Sequence, residues 1–206
     1  MRRFVLVVLA SFAIANFSAA QIQSLRIDPN HSSAEFAVRH LGISTVRGDF
    51  QKVSGNVSYD PTDVSKSSIE ATIDAASVTT RIEPRDKDLR SPHFFDVEKY
   101  PVITFKSKRV EAAGAGKLRV TGDLTMHGVT KEVVLDVDGP SPAVKDPQGN
   151  TRMGAAATTK ISRKDFGIDG AAAAVGDEVQ ITLDVEMVSP SSPPNPQSKQ
   201  PVFGKP

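Results

Sequence analysis

The 206-residue chain contains no cysteine. This absence excludes disulfide bonds, a thiolate nucleophile, cysteine-based metal sites and the acylated cysteine of a lipoprotein. The fold must therefore be stabilised by its core alone. The roughly 168 residues from Gln21 to Val188 are enough for one domain with a substantial core.

Tryptophan is also absent, and tyrosine occurs only at Tyr59 and Tyr100. A transmembrane barrel would show alternating strands, but it would also carry aromatic girdles at both membrane interfaces. The absence of tryptophan and the scarcity of tyrosine therefore argue against that class of protein.

Neither sign of charge is in excess. The chain has 25 Lys and Arg against 24 Asp and Glu, and removal of residues 1–20 leaves 23 against 24, a net charge of −1. Without a basic patch, the sequence does not indicate a nucleic acid as a partner.

The first twenty residues have the three parts of a secretory signal. Arg2 and Arg3 precede an apolar run of eleven residues from Phe4 to Ile14, and the small residues 18–20 follow. A transmembrane helix needs about 20 apolar residues. Residues 1–20 are therefore predicted to be a Sec-type signal peptide, which places the mature protein in the periplasm.

The end of the chain differs in composition from the rest. Residues 189–206, SPSSPPNPQSKQPVFGKP, contain six prolines and few apolar side chains. Such a segment cannot bury enough surface to fold by itself. It is predicted to be a disordered proline-rich tail, with a rigid spacer or a docking peptide as the alternative.

Hydrophobic residues recur with a period of two, which is typical of strands with one wet face. The longest example is residues 178–188, and His127-Gly128 suits a tight turn between strands 118–126 and 129–137. Strands with short connections predict an all-β antiparallel barrel or sandwich in residues 21–188. The other alternating sets are Leu118, Val120, Leu124 and Met126; Val133, Leu135 and Val137; Ile69, Ala71 and Ile73; and Ala34, Phe36 and Val38.

One segment, residues 79–100, breaks this alternation with charges at nearly every turn. Its pattern predicts a short helix from Pro84 to Leu89, with Pro84 in the first turn. We interpret the region around residues 84–96 as a lid or a crossover.

Four segments make the chain resemble the YceI-like family of exported lipocalin-like carriers. The resemblance implies an eight-stranded antiparallel barrel, often a homodimer, whose lumen holds a long isoprenoid or fatty chain. The segments are IDPNHSSAEFAVRHLGISTVRGDF (27–50), TTRIEPRDKDLRSPHFFDVEKYPVITFKS (79–107), TGDLTMHGVTKEVVLDV (121–137) and ISRKDFGI (161–168).

Inward apolar residues of a barrel can either fill its core or line an open lumen, and the alternation is the same in both cases. The resemblance favours the lumen. The predicted lumen residues are Phe36, Val38, Phe50, Ile73, Phe105, Leu124, Met126, Leu135, Ile181 and Leu183.

Three residues are predicted at the lumen mouth, where they would contact a polar head group: His40, Arg90 and His93. His40 continues the inward set of its strand, and an imidazole there can donate a hydrogen bond. Many relatives read His-Leu-Arg-Ser-x-Asp-Phe-Phe, whereas this chain has Asp88 and His93 with the acid and the imidazole exchanged. His93 would then supply the imidazole from the other side of the turn.

The cations of the same segment allow two interpretations. They form either a collar for a phosphate or for transient contact with anionic membrane lipid, or a solvated segment balanced by Glu83, Asp86 and Asp88. The cations are Arg81, Arg85, Lys87 and Arg90.

No sequence motif indicates catalysis. The histidines, at 31, 40, 93 and 127, show no zinc-binding spacing, and no Gly-x-Ser-x-Gly elbow is present. We therefore predict a binding protein without cofactor or metal, which carries a polyisoprenoid such as an isoprenoid quinone or a prenyl chain. The alternatives are an enzyme that acts on a lipid in the same cavity and a ligand-free, stress-related module.

Overall fold

The computed structural model describes residues 22–189. The predicted signal peptide and residues 190–206 of the predicted tail lie outside the described residues. Ser189, which the sequence assigned to the tail, is instead the last residue of the final strand, because it pairs with Thr151. Within residues 22–189, no helix has the length and apolar character needed to span a bilayer.

The described chain is mostly sheet, with one α-helix and three short 3-10 helices. The 3-10 helices are Val64–Lys66, Ala75–Ser77 and Arg163–Phe166. The other elements are β1 (Gln23–Ile27), β2 (Ser33–His40), β3 (Ser44–Phe50), β4 (Val53–Tyr59), β5 (Ser68–Asp74), β6 (Val78–Thr79), α1 (Glu83–Arg90), β7 (Val102–Ala112), β8 (Lys117–Met126), β9 (Val129–Asp138), β10 (Val144–Lys145), β11 (Thr151–Ser162) and β12 (Val175–Ser189).

Eight strands close into an antiparallel ring, as the family resemblance implied. The pairing order is β1, β4, β5, β7, β8, β9, β11, β12 and back to β1. Closure removes the exposed edges of an open sheet and creates an interior. The predicted eight-stranded barrel is therefore confirmed.

The last strand, β12, joins three other strands. One edge pairs with β11 from Glu178 to Ser189. The other edge pairs first with β2, between Val175 and Asp184, and then with β1 at Met187 and Val188. The hairpin of β2 and β3 thus extends the wall beyond the short strand β1.

The β8–β9 hairpin forms where His127-Gly128 predicted a turn. Met126 pairs with Val129, so the loop has two residues, and both have positive φ, 52° at His127 and 74° at Gly128. This is the backbone pattern of a type I′ turn, whose twist matches that of the flanking strands. The His127 ring faces the carbonyl oxygen of Phe166, with Nδ1 3.1 Å away.

Helix α1 spans Glu83–Arg90, one residue longer at each end than predicted. Its Asp86 carboxylate is buried against the end of β6, where it accepts hydrogen bonds from the Thr79 hydroxyl at 2.9 Å and from the Thr80 amide at 2.7 Å. These hydrogen bonds lower the pKa of Asp86 despite its burial, which alone would raise it. The buried carboxylate anchors the helix to the barrel.

Side chains fill one end of the barrel. Near the turn between β7 and β8, Val110 and Val120 are each about 1% exposed, and Leu118 and Val137 pack against them. A larger apolar cluster surrounds the remaining interior, which extends toward α1. The sequence left open whether the interior is a filled core or an open lumen. The barrel contains both, in different parts of its interior.

Candidate functional site

A cavity of about 220 Å³ lies inside the barrel. That volume is more than ten times what a single water molecule needs. Its wall is almost entirely aliphatic and aromatic, so water inside would find few polar partners. The space is therefore suited to an apolar molecule.

All ten side chains predicted for the lumen lie on the wall of this cavity. Alternation along each strand explains the placement, because residues two apart share a face. Their contact with a ligand stays a prediction. The ten are Phe36, Val38, Phe50, Ile73, Phe105, Leu124, Met126, Leu135, Ile181 and Leu183.

The segment between β6 and β7 covers the cavity at the end opposite the filled core. Leu89 of α1 and Phe94 and Phe95 of the following turns belong to the wall. Phe95 packs edge-on against Phe50, with ring centroids 5.5 Å apart. We call this segment, residues 80–101, the lid; the sequence predicted a lid or a crossover around residues 84–96.

Several wall residues were not predicted from the sequence. Many continue alternating sets that were already visible, and the lid residues stand out as apolar positions in a charged segment. The missed residues include Ile27, Val53, Ile69, Ala71, Leu89, Phe94, Phe95, Ile103, Val133, Thr159, Ile161, Arg163, Ile168, Val175, Val179 and Val185.

Two glycines let aromatic rings lie flat against the wall. A Cβ atom at Gly48 would come within 2.4 Å of the Phe36 ring, and one at Gly122 within 2.5 Å of the Phe105 ring. Both distances are far below van der Waals contact. Glycine at these positions therefore sets the shape of the cavity through the two rings.

Arg163 is a buried cation on the cavity wall and is only 4% exposed. Its guanidinium donates to the backbone carbonyls of Ile168, Gly170, Val175 and Gly176 at 2.8–3.0 Å. These hydrogen bonds hold the loop between β11 and β12 in place. Among residues 22–189, no carboxylate forms an ion pair with it. Its positive charge is balanced by these carbonyl dipoles and by the nearby Asp177 carboxylate, whose pKa it helps to lower.

The three residues predicted at the mouth do not belong to the cavity wall. His40 is half-buried at the end of β2, opposite Ser44. Arg90 donates to the carbonyls of Ala76 and Val78, at 3.1 and 3.2 Å. Contact of these side chains with a head group stays a prediction.

His93 joins the lid to the loop before β12. Its Nδ1 lies 3.2 Å from Asp88 Oδ1, and its Nε2 accepts a hydrogen bond from the Ala171 amide at 3.2 Å. The acid and the imidazole that are exchanged relative to the family pattern therefore contact each other. In this structure, both ring nitrogens of His93 are engaged by protein atoms.

The predicted cationic collar is divided between two environments. Arg85 donates to the Thr80 hydroxyl at 2.8 Å and to its carbonyl at 3.2 Å, both within the lid, whereas Arg90 binds carbonyls of residues that precede the lid. Arg81 and Lys87 are exposed. Two of the four cations are thus used within the protein.

A separate ionic cluster lies where the β1–β2 loop meets β11 and β12. Arg152 binds the carboxylates of Asp28 and Asp146, each at 2.8 Å, and also that of Glu186. It lowers the pKa of Asp146 to about 2 and holds that of Asp28 well below its usual range. Asp28, His31 and Glu186 form a group with the geometry of a cation site, but the guanidinium already contacts both acids.

Comparison with known proteins agrees with this architecture. A family model described as the YceI-like domain matches residues 25–187. A UPF0312 protein of Vibrio cholerae is 42% identical over 153 residues, which cover 73% of this chain and 80% of the relative.

Solved structures show the same fold. The YceI protein of Campylobacter jejuni is 33% identical, with a TM-score of 0.66 over 73% of this chain and 89% of that one. A polyisoprenoid binding domain from Saccharophagus degradans, implicated in plant cell wall breakdown, has a TM-score of 0.61 over 81% of this chain and 98% of its own. At 19% identity, that domain is evidence for the fold alone.

Proposed function

This chain belongs to the YceI-like domain family, and from that premise we propose that it binds a long apolar lipid in its barrel and carries it in the periplasm. The ligand class that we propose is a polyisoprenoid, such as an isoprenoid quinone or a prenyl chain. The fold that this chain shares with the polyisoprenoid binding domain from Saccharophagus degradans supports this choice of class.

The observation that carries the proposal is the apolar cavity of about 220 Å³ under the lid. A ligand-free module would close its lumen with its own side chains. Here only the end of the barrel around Val110 and Val120 is filled in this way. The open remainder favours a ligand-binding role.

The polar groups on the wall support binding rather than catalysis. Among the described residues, the titratable residues at the cavity wall are Glu35 and Arg163. Glu35 is exposed and alternates with the inward Ala34 and Phe36, so its carboxylate points away from the cavity. Acid–base chemistry needs titratable groups that face a common substrate, usually with mutually shifted pKa values. The carboxylates with clearly lowered pKa values, such as Asp28, Asp86 and Asp146, lie outside the wall.

Burial of a long apolar chain provides enough binding free energy for the lipid to dissociate slowly. At about 0.8 kcal/mol per methylene, a chain of some forty carbons has a gross transfer free energy of roughly 30 kcal/mol, which exceeds any observed net affinity. Ordering of the chain and of the protein offsets much of it. We expect the remainder to keep the lipid bound through purification.

The test is solvent extraction of the protein purified from its native host, followed by mass spectrometry. We expect a stoichiometric long-chain lipid with isoprenoid mass increments. Protein that releases no lipid would contradict the carrier function. Location is tested separately by fractionation, where mature protein starting after residue 20 should be found in the periplasmic extract.

A further inference from the structure

Strands β9 and β11 pair over only part of their length. The register joins Asp136, Val137 and Asp138 to Thr158, Ala157 and Ala156, and no further pair is formed. Toward Val129 on one strand and Ser162 on the other, the two edges diverge. Backbone groups on these edges lack their ladder partners and are open to water or to a ligand.

The divergence leaves a polar cleft of about 300 Å³ in the side of the barrel. Val133, Thr159 and Ile161 line both this cleft and the apolar cavity. The two spaces therefore adjoin at these three residues. The cleft is lined by Lys131, Glu132, Val133, Val134, Thr159, Lys160, Ile161, Ser162, Asp165 and Phe166, and we call it the lateral cleft.

Lys131 stands at an inward position of the barrel. It lies directly opposite Leu124, a cavity residue, and directly opposed residues of an antiparallel pair share a face. Lys131 is nevertheless exposed, because its side chain belongs to the lateral cleft. An inward lysine thus meets solvent where the wall is open.

The other charges of the cleft are mostly neutralised. Glu132 is paired with Lys108 at 3.2 Å, and Lys160 with Glu178 at 2.9 Å. Lys131 forms no hydrogen bond or ion pair within residues 22–189. Asp165 is the remaining acid of the cleft. Arg163, the residue after Ser162 in the sequence, is buried and lines the adjoining cavity.

We propose that the lateral cleft holds the anionic head group of the ligand, a phosphate or a carboxylate, with Lys131 as its cationic contact, while the apolar chain lies in the cavity. The inference rests on the proposed lipid-binding function and deepens it to anionic amphiphiles. An ammonium group is a suitable partner for such oxygens because charge-assisted hydrogen bonds are the strong ones.

The first test compares matched ligands on delipidated full-length protein. Displacement of the neutral fluorophore N-phenyl-1-naphthylamine gives the affinities of geranylgeranyl phosphate and geranylgeraniol, and of palmitate and hexadecanol. We expect each anion to bind about tenfold more tightly than its alcohol. The two pairs distinguish a phosphate head from a carboxylate head.

Variants locate the source of this preference. Lys131→Gln should bring the ratio of anion to alcohol affinity close to one without changing the affinity for the alcohol, and Asp165→Asn should raise the ratio. Lys106→Gln is the control, because Lys106 is an exposed lysine on β7 paired with Glu70. A ratio near one in the unmodified protein, or a preference that survives Lys131→Gln, would overturn the head-group site.

A second measurement needs no change of charge. Because the chain has no cysteine, the thiol of a Val134→Cys variant reports on the cleft alone. Bound geranylgeranyl phosphate should slow its reaction with N-ethylmaleimide, whereas the thiol of Val144→Cys on β10 should react at an unchanged rate. Equal rates with and without ligand would contradict the site. Failure of both alcohols to bind would instead refute the carrier function itself.

Discussion

The imidazole of His93 bridges Asp88 and the backbone of Ala171. The Ala171 amide can only donate, so Nε2 accepts and the proton resides on Nδ1, which donates to Asp88 Oδ1 at 3.2 Å. One neutral ring thereby links the lid to the loop before β12. The link crosses a separation of 78 residues in the sequence.

Replacement of His93 should cost more stability than replacement of Asp88. The acid is half exposed, and exposed pairs contribute about 0–1 kcal/mol. His93→Ala also removes the acceptor for Ala171, so we expect a loss of about 1 kcal/mol in the free energy of unfolding. Urea denaturation of the two alanine variants measures both losses. A larger effect for Asp88→Ala would show that the bond to Ala171 contributes little.

Neighbouring positions on β8 should respond oppositely to the same substitution. Leu124 lines the cavity, whereas the Thr125 hydroxyl lies 2.8 Å from that of Thr130 on the other face of the strand. Leu124→Arg places an unpaired cation in apolar surroundings, so we expect soluble protein that is depleted of lipid. Thr125→Arg is the matched control and should retain lipid normally. Equal loading of the two variants in extraction experiments would contradict the cavity assignment.

A methyl group added at Gly122 should disturb the wall through Phe105. The new Cβ would lie 2.5 Å from the ring and 2.6 Å from the carbonyl oxygen of Lys106. We expect Gly122→Ala to cost about 1–3 kcal/mol, because extra atoms in a packed region force shifts of side chain and backbone. At Gly154, where the nearest atom is 3.8 Å away, alanine should leave the melting temperature nearly unchanged. Similar melting curves for both variants would argue against this account.

Arg152 makes part of the stability dependent on acid pH. It lowers the pKa of Asp146 from 3.8 to about 2 and that of Asp28 further. Because these pKa values are lower in the folded state, the ionised carboxylates stabilise the fold fully at pH values above the ordinary pKa of aspartate. This stabilisation is lost as the pH falls from about 4 toward 2.

The Arg152→Met variant should therefore be less stable than the parent protein at pH 7, and the difference should shrink below about pH 4. Melting temperatures recorded from pH 7 to pH 2 measure this convergence. Lys106→Met, at an exposed pair on β7, is the control and should show a small difference at every pH. If the melting temperatures of Arg152→Met and of the parent protein differ by the same amount at every pH, protonation of Asp28 and Asp146 does not affect stability through Arg152.

Alternation predicted much of the barrel because burial of one face constrains every second residue. The β8–β9 hairpin and its turn were visible in this way, and so were the ten lumen residues. The same rule also places Lys131 on the inner face, because it lies two residues before the inward Val133 on β9. The local pattern did not reveal that the wall opens there, because the opening depends on where β11 leaves β9.

Polar contacts that depend on how the chain folds, rather than on residue type, were not predictable. His93 was assigned to a mouth, but its ring is engaged by Asp88 and by Ala171 far along the chain. Arg163 gave no signal of burial, since its acceptors are backbone carbonyls that any sequence possesses. Side-chain type alone cannot report such contacts, because they arise from tertiary structure.

The pairing of β12 with β1, β2 and β11 has a consequence for the order of events during folding. The ring cannot close until residues 175–189 are free to pair, because the first and last of its strands are neighbours. Until then, three strand edges lack their partner, and such edges promote association between chains. A chain that ends before Val175 should therefore remain a substrate for chaperones, whereas a chain that includes the last fifteen described residues should close the ring and be released.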